Sequence, residues 1–84
     1  MPTKPTPKPD AATLRQCRHL GATWLRYHGQ HWALRDTPIW ELYRPRRGEL
    51  QRRVLGYPGG EWRQFDGTLP MDVVRVENEV EVNE

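Results

Sequence analysis

The amino-acid sequence predicts an α+β domain that is mostly β, in which one short N-terminal helix precedes five or six antiparallel strands arranged as a curled sheet or a small barrel. Three observations predict it: apolar residues recur at helical spacing near the N-terminus, later ones alternate with polar residues, and Gly or Pro turn signals separate these segments. The 84 residues suffice for a single domain. We expect a disordered tail over 1–9, the domain over 10–82 and a frayed end at 83–84.

The N-terminal tail and the helix differ in composition. Residues 1–9 contain four of the eight prolines and no large apolar residue after Met1, which predicts an extended tail without a fold of its own. Asp10 is a suitable N-cap for a helix of about two to three turns that ends near Gly21. The apolar positions at helical spacing are Ala11, Leu14, Cys17 and Leu20.

The first strand pair is predicted around the Gly-Gln dipeptide at 29–30. A two-residue turn that begins with Gly is typical of a type II′ hairpin. This turn places Tyr27 opposite Trp32 and makes one hairpin face almost wholly apolar. Because side chains alternate along a strand, the other face carries Trp24, Arg26, His28, His31, Ala33 and Arg35.

The same frame recurs thirty residues later. The pattern Leu-x-Tyr-x-Gly-x-x-Trp-x-x-x-Asp occurs at 25–36 and again at 55–66. Each identity falls where a Gly-turned hairpin needs it, so we interpret the pattern as a duplicated hairpin whose two copies share one core. The turn of the second copy is expected at 58–60.

Two further strands are expected at 38–44 and 50–57, joined by the loop 45–48. If Arg44 pairs with Glu49, large apolar side chains fall on both faces of this pair. Either both faces are then partly covered or a bulge intervenes.

The C-terminal segment predicts a last strand, and it is acidic. From about Met71, valines alternate with Arg75 and glutamates, which places the apolar and charged side chains on opposite faces. Residues 1–63 carry a net charge of +7 and residues 64–84 a net charge of −5, which together give the +2 of the chain. The protein is therefore a basic body with an acidic end.

Several classes of protein are disfavoured by the composition. The single cysteine, Cys17, cannot form an intramolecular disulfide, which favours a cytoplasmic protein. No apolar run is long enough to predict a membrane span. The chain has no serine, and Cys17 is expected to face the core, so no nucleophile lies beside a base. We expect neither an enzyme nor a cofactor.

A metal site is considered because the only cysteine and all three histidines fall within fifteen residues. These residues are Cys17, His19, His28 and His31. Their spacing matches no recognised zinc pattern and would join a helix end to a hairpin tip. We therefore expect no metal site.

Two surfaces are candidates for binding a partner. The first is the polar face of the first hairpin, with Trp24, Arg26, His28, His31 and Arg35. The alternative is that this face packs on the helix, with Trp24 as a core residue. The second is an arginine cluster made of Arg44, Arg46, Arg47, Arg52 and Arg53. The alternative there is internal neutralisation by the acidic strand that holds Glu77, Glu79 and Glu81.

These features predict a small non-enzymatic regulatory or adaptor protein that binds another protein, one with an acidic patch, through Arg and Trp side chains. The alternative is a module that binds single-stranded nucleic acid or RNA by arginine contacts and aromatic stacking. The acidic C-terminal region favours the protein partner, because a domain that depends on phosphate contacts usually keeps a clear basic excess. The oligomeric state stays open.

Overall fold

A computed structural model of the chain describes residues 8–31, 37–55 and 60–76. These residues form one helix and five strands: α1 (Ala11–His19), β1 (Trp24–His31), β2 (Thr37–Arg46), β3 (Glu49–Leu55), β4 (Arg63–Gln64) and β5 (Val74–Arg75). All strand pairs are antiparallel, in the order β4-β3-β2-β1-β5. The prediction of one short helix and a mostly β domain is confirmed. Within the described residues the sheet is open, with β4 and β5 at its edges, so the small barrel is wrong.

Helix α1 forms as its capping residues predict. The Asp10 side chain accepts a hydrogen bond of 2.8 Å from the backbone N–H of Thr13, which satisfies one of the free donors at the helix start. The helix ends before Gly21, whose φ of 81° is a left-handed conformation that favours glycine. Cys17 is fully buried, and Leu14 packs beside the core that contains it.

Strand β1 does not turn at Gly29, and this part of the sequence prediction is wrong. The strand continues to His31 and pairs along its length with β2, so Tyr27 lies opposite Trp40 and not opposite Trp32. The register shifts by one residue at His28, which is a β-bulge. Gly29 has a φ of 153°, which only glycine adopts readily, so the residue supports a bulge and not a turn.

The repeated pattern runs in both copies through residues outside the described part of the chain. These are residues 32–36, which include Trp32 and Arg35, and residues 56–59, which include most of the second expected turn. The duplicated hairpin therefore stays a prediction. Beyond the second copy's loop, β3 and β4 do pair as antiparallel neighbours, with Arg52 opposite Arg63.

The β2–β3 hairpin is tighter than predicted. Arg46 pairs with Glu49, so the connection is the two-residue turn Arg47-Gly48, and Arg44 lies opposite Gln51. Arg47 and Gly48 both have positive φ, 53° and 80°, as a type I′ turn requires. The pairing differs from the expected one by two positions, and an even shift leaves every side chain on the face predicted for it.

The sheet has two different faces. The helix face, on which α1 lies, packs the hydrophobic core: Cys17, Ala22, Leu25, Trp40, Leu42 and Val76. The polar face carries the alternate residues of the same strands: Trp24, Arg26, His28, Ile39, Glu41, Tyr43 and Arg52. Both faces are partly covered, as one of the two sequence alternatives proposed, because Ile39, Glu41 and Tyr43 are also buried.

The segment 65–73 covers part of the polar face. It connects the two edge strands, β4 and β5, and so must cross the sheet. At its start the Phe65 ring packs edge-on against Tyr43, with 5.4 Å between centroids, and near its end Asp72 pairs with Arg26. Nine residues reach about 30 Å, more than the roughly 19 Å between the edges of a five-stranded sheet. Because both anchors are polar-face residues, we call this segment the crossover and place it on that face.

Strand β5 begins at Val74, three residues later than predicted. Within the described residues it contains Val74 and Arg75, and the rest of the predicted strand lies at 77–84, outside them. Val76 joins the core, whereas Val74 is 53% exposed. Among the described residues, no helix has both the length and the apolar character needed to cross a membrane.

Candidate functional site

A buried carboxylate organises the polar face. The Glu41 side chain is 4% exposed and is held by three donors on neighbouring positions. The Tyr43 hydroxyl donates to Oε1 at 2.5 Å, Arg26 Nη1 donates to the same oxygen at 3.1 Å, and His28 Nδ1 lies 2.5 Å from Oε2. Arg26 and His28 are two residues apart on β1 and therefore share the face that carries Glu41 of β2.

The hydrogen bonds decide the ionisation of Glu41. Burial alone raises the pKa of a carboxyl group, but the bonds from Tyr43, His28 and Arg26 outweigh it and hold the pKa of Glu41 below its ordinary value. Burial, and then the bond to Glu41, raise the pKa of the Tyr43 hydroxyl to about 12. Glu41 is therefore an anion at neutral pH and Tyr43 a neutral donor.

The first predicted binding surface is largely an internal network. Trp24, Arg26 and His28 do share one face, but Arg26 also donates from Nε to Asp72 at 2.7 Å, so its charge has two internal partners. Helix α1 packs on the opposite face, so the alternative in which the helix covers Trp24 is wrong. The structure does not describe the side chain of His31, and Arg35 lies outside the described residues.

The residues considered for zinc are not brought together. Cys17 is buried on the helix face, where burial raises the pKa of its thiol to about 11, whereas His28 lies on the polar face. His19 is exposed in the last turn of α1. Within the described ranges, no three His, Cys, Asp or Glu side chains are grouped in a way that could hold a metal ion.

The predicted arginine cluster is divided by the sheet. Arg44, Arg46 and Arg53 lie on the helix face, Arg52 lies on the polar face, and Arg47 is at the turn. None of these five forms an ion pair within the described part of the chain. We call Arg44, Arg46, Arg47 and Arg53 the hairpin arginines.

Arg44 is the most rigidly held of the hairpin arginines. Its guanidinium lies 4.2 Å from the centroid of the Trp62 ring, and its Nε donates to Gln51 Oε1 at 2.8 Å. It also reaches the backbone at the end of α1, where a Cβ added to Gly21 would lie 3.6 Å from Nη1. Burial and the charges of Arg46 and Arg53 lower the pKa of Arg44.

The strand order bears on the predicted neutralisation of these arginines. β5, which leads into the acidic C-terminal residues, pairs with β1 at one edge, and two strands separate it from β3. Direct cross-strand pairing of β5 with the arginines of β3 is therefore excluded. Glu77, Glu79 and Glu81 themselves lie outside the described residues.

Sequence reasoning missed the residues that organise both faces. Glu41 is an acid within an otherwise apolar strand, and this is the signal that could have identified it as a buried, hydrogen-bonded carboxylate. Trp62 was noted only as a member of the repeated pattern, and its contact with the Arg44 guanidinium was not foreseen. No local signal indicates Phe65 or Asp72, because their contacts lie on strands distant in sequence.

Comparison with known proteins gives no identification for this arrangement. No family model matches the chain, and neither the curated proteins nor the solved structures contain a match.

Proposed function

We propose that this protein is a small non-enzymatic adaptor or regulatory module that docks on an acidic surface of another protein through its hairpin arginines. One observation carries the proposal: the hairpin arginines lie at the β2–β3 turn and on the helix face of the two strands, and none forms an ion pair within the described residues. Like charges held close together repel, and an acidic partner would remove that repulsion.

The local geometry supports specific docking. Because Arg44 is fixed by Trp62 and Gln51, it loses little side-chain entropy when it binds a carboxylate. Arg46 and Arg47 are exposed at the tip, where they can reach a partner surface. The Nε of Arg53 is buried and has no hydrogen-bond partner among the described residues.

A protein partner is favoured over single-stranded nucleic acid because few aromatic faces are free for bases. Tyr27 packs edge-on against Trp40 at 5.5 Å, and Tyr43 packs against Phe65. The ring of Trp62 is occupied by Arg44. Modules that bind single strands combine a basic groove with aromatic rings open to stacking.

The test is a comparison of two charge-reversal variants by affinity capture from native lysate. Arg46→Glu/Arg47→Glu inverts the exposed hairpin tip, and Arg15→Glu inverts an exposed arginine of α1 as the control. We expect the tip variant to lose the captured protein, with an affinity at least about tenfold weaker in calorimetry. The control variant should bind like the unaltered chain.

Two outcomes would contradict the proposal. If the folded tip variant retains its partner with unchanged affinity, the hairpin arginines are not the docking site. If capture is lost after nuclease treatment of the lysate and a single-stranded oligonucleotide binds with a steep salt dependence, the partner is a nucleic acid.

A further inference from the structure

Val76, the last residue described, lies at the same end of the sheet as the tip of the β2–β3 hairpin. Strands β2 and β5 are both antiparallel to β1, so each of them ends beside the start of β1. The backbone of Thr23 connects them there: its N–H donates to the Tyr43 carbonyl at 2.8 Å, and its carbonyl accepts from the Val76 N–H at 2.8 Å. Val76 is therefore only two strand spacings, about 10 Å, from the last residues of β2.

This corner of the molecule is basic. A cavity of about 290 Å³ beside Val76 has Arg18 of α1 and Arg75 of β5 in its walls, and no acidic residue. Arg44 reaches the same corner, since a Cβ added to Gly21 in the cavity wall would lie 3.6 Å from its Nη1. Within the described ranges, none of these three arginines forms an ion pair. The described part of the chain therefore ends beside three positive charges that lack an acidic partner within it.

The residues that follow Val76 in the sequence carry the opposite charge. Residues 77–84 contain four glutamates and no lysine or arginine. The backbone of Arg46, at the end of β2, is about 14 Å from that of Val76, because it lies two strand spacings across and about three residues further along. Five extended residues reach about 17 Å, so the chain is long enough to carry Glu79 and Glu81 to the hairpin tip.

On the basis of the proposed docking function, we infer that Glu79 and Glu81 pair with the hairpin arginines in the free protein and so compete with its acidic partner. The arginines within reach are Arg44, Arg46 and Arg47. This contact does not need β5 to pair with β3, which the strand order excludes, because it runs around the end of the sheet where β1 begins.

Such a contact is a reversible cover for the docking surface. A tether of a few residues holds the glutamates at an effective concentration on the order of millimolar, so the pairs form without a high intrinsic affinity. Exposed ion pairs contribute little each, so a partner that offers more carboxylates and further contacts displaces them. The cover lowers the apparent affinity for an acidic surface by a factor that is set by the fraction of uncovered molecules.

The first test compares backbone amide chemical shifts of the full chain at low salt. Glu79→Gln/Glu81→Gln removes two charges from the acidic residues, and Glu61→Gln/Asp66→Asn removes two exposed charges beside β4 as the matched control. The first variant should shift the amide signals of the hairpin tip, 46–48, and the control should leave them in place. At about 1 M salt the difference should largely disappear, because exposed charges are then screened beyond about 3 Å.

The second test measures competition, with a fluorescently labelled hexaglutamate peptide as the acidic probe. In anisotropy titrations, Glu79→Gln/Glu81→Gln should bind the peptide at least about threefold more tightly than the unaltered chain, because more of its molecules are uncovered. The control with the two charges removed beside β4 should bind like the unaltered chain. The tip variant Arg46→Glu/Arg47→Glu should bind the peptide about tenfold more weakly.

Three results would overturn the inference. The tip amides have the same shifts in Glu79→Gln/Glu81→Gln as in the unaltered chain, their shifts change with protein concentration, or the peptide binds both proteins equally or not at all. A dependence on concentration would mean that the acidic residues contact a second copy of the chain. The docking function fails by a different result, in which the folded tip variant keeps its native partner.

Discussion

Glu41 shows how one residue links the sheet to the crossover. Its carboxylate is buried in the central strand β2 and accepts bonds from Tyr43 and Arg26, and Arg26 in turn pairs with Asp72 of the crossover. An ion buried in this way is costly to remove singly, because its partners are left without an acceptor. The network therefore holds the bulge of β1, strand β2 and the crossover in one arrangement.

Replacement of Glu41 tests that role. Glu41→Gln should lower the free energy of unfolding at pH 7 by about 1–3 kcal/mol, because it weakens three hydrogen bonds to a buried anion. Urea denaturation measures the change, and Glu49→Gln, an exposed glutamate at the hairpin tip, is the control that should show little loss. Equal stability of the two variants would show that the network contributes nothing.

The same variant should alter the acid stability. Since the folded pKa of Glu41 lies below its ordinary value, its contribution is fully present above about pH 4.3, the ordinary glutamate value, and is lost as the pH falls through the folded pKa. The unaltered protein should lose stability in this acid range more steeply than Glu41→Gln. Parallel curves of unfolding free energy against pH would contradict the assignment.

At the scale of elements, the β2–β3 hairpin combines a strained residue with the docking surface. Arg47 is the only non-glycine residue with a positive φ in the described part of the chain, and it occupies the first central position of a turn that favours Asn-Gly. A side chain that suits the turn less well than asparagine is consistent with a residue kept for its charge.

A residue that adopts positive φ more easily than Arg47 would stabilise the turn but would remove one charge from the hairpin arginines. Arg47→Asn should raise the free energy of unfolding by about 0.5–1 kcal/mol, because asparagine adopts the left-handed conformation more easily. The expected result is a higher melting temperature together with weaker partner binding. Gly48→Ala, which forces a Cβ into a φ of 80°, should have the opposite effect on stability. A lower melting temperature for Arg47→Asn would show that the turn is not of this type.

At the scale of the whole molecule, the crossover gives the sheet a second covered face. The helix face is covered by α1, and the polar face is covered where Phe65 packs on Tyr43 and where Asp72 meets Arg26. A chain of 84 residues buries only a limited part of its surface when it folds. Because both faces of the sheet are partly covered, side chains on both faces are removed from water.

The crossover is tested by removing its aromatic anchor. Phe65→Ala should lower the free energy of unfolding by about 2 kcal/mol, less than a fully buried phenylalanine would, because Phe65 is only half-buried. Met71→Ala is the control within the same segment, because Met71 is fully exposed. The two variants are compared by urea denaturation, and similar midpoints would show that the crossover does not depend on Phe65.

Local sequence features account for α1 and for the side-chain faces of β2 and β3. The cap at Asp10, the helical spacing and Gly21 define α1, and alternation assigned the side chains of β2 and β3 to the correct faces. These features are determined by neighbours a few residues apart, where backbone sterics and periodicity dominate. The concentration of arginines around the β2–β3 turn can likewise be read from the sequence alone.

The tertiary structure fixes how those elements combine. It made Gly29 part of a bulge and not a turn, because pairing β1 with β2 buries Leu25 and Tyr27 against Trp40 and Leu42. It also enclosed Glu41 with donors from other segments, divided the arginines between two faces, and joined Arg52 to Arg63. Such contacts depend on strand order and register, which follow from the burial of the whole sheet and not from any local run of residues.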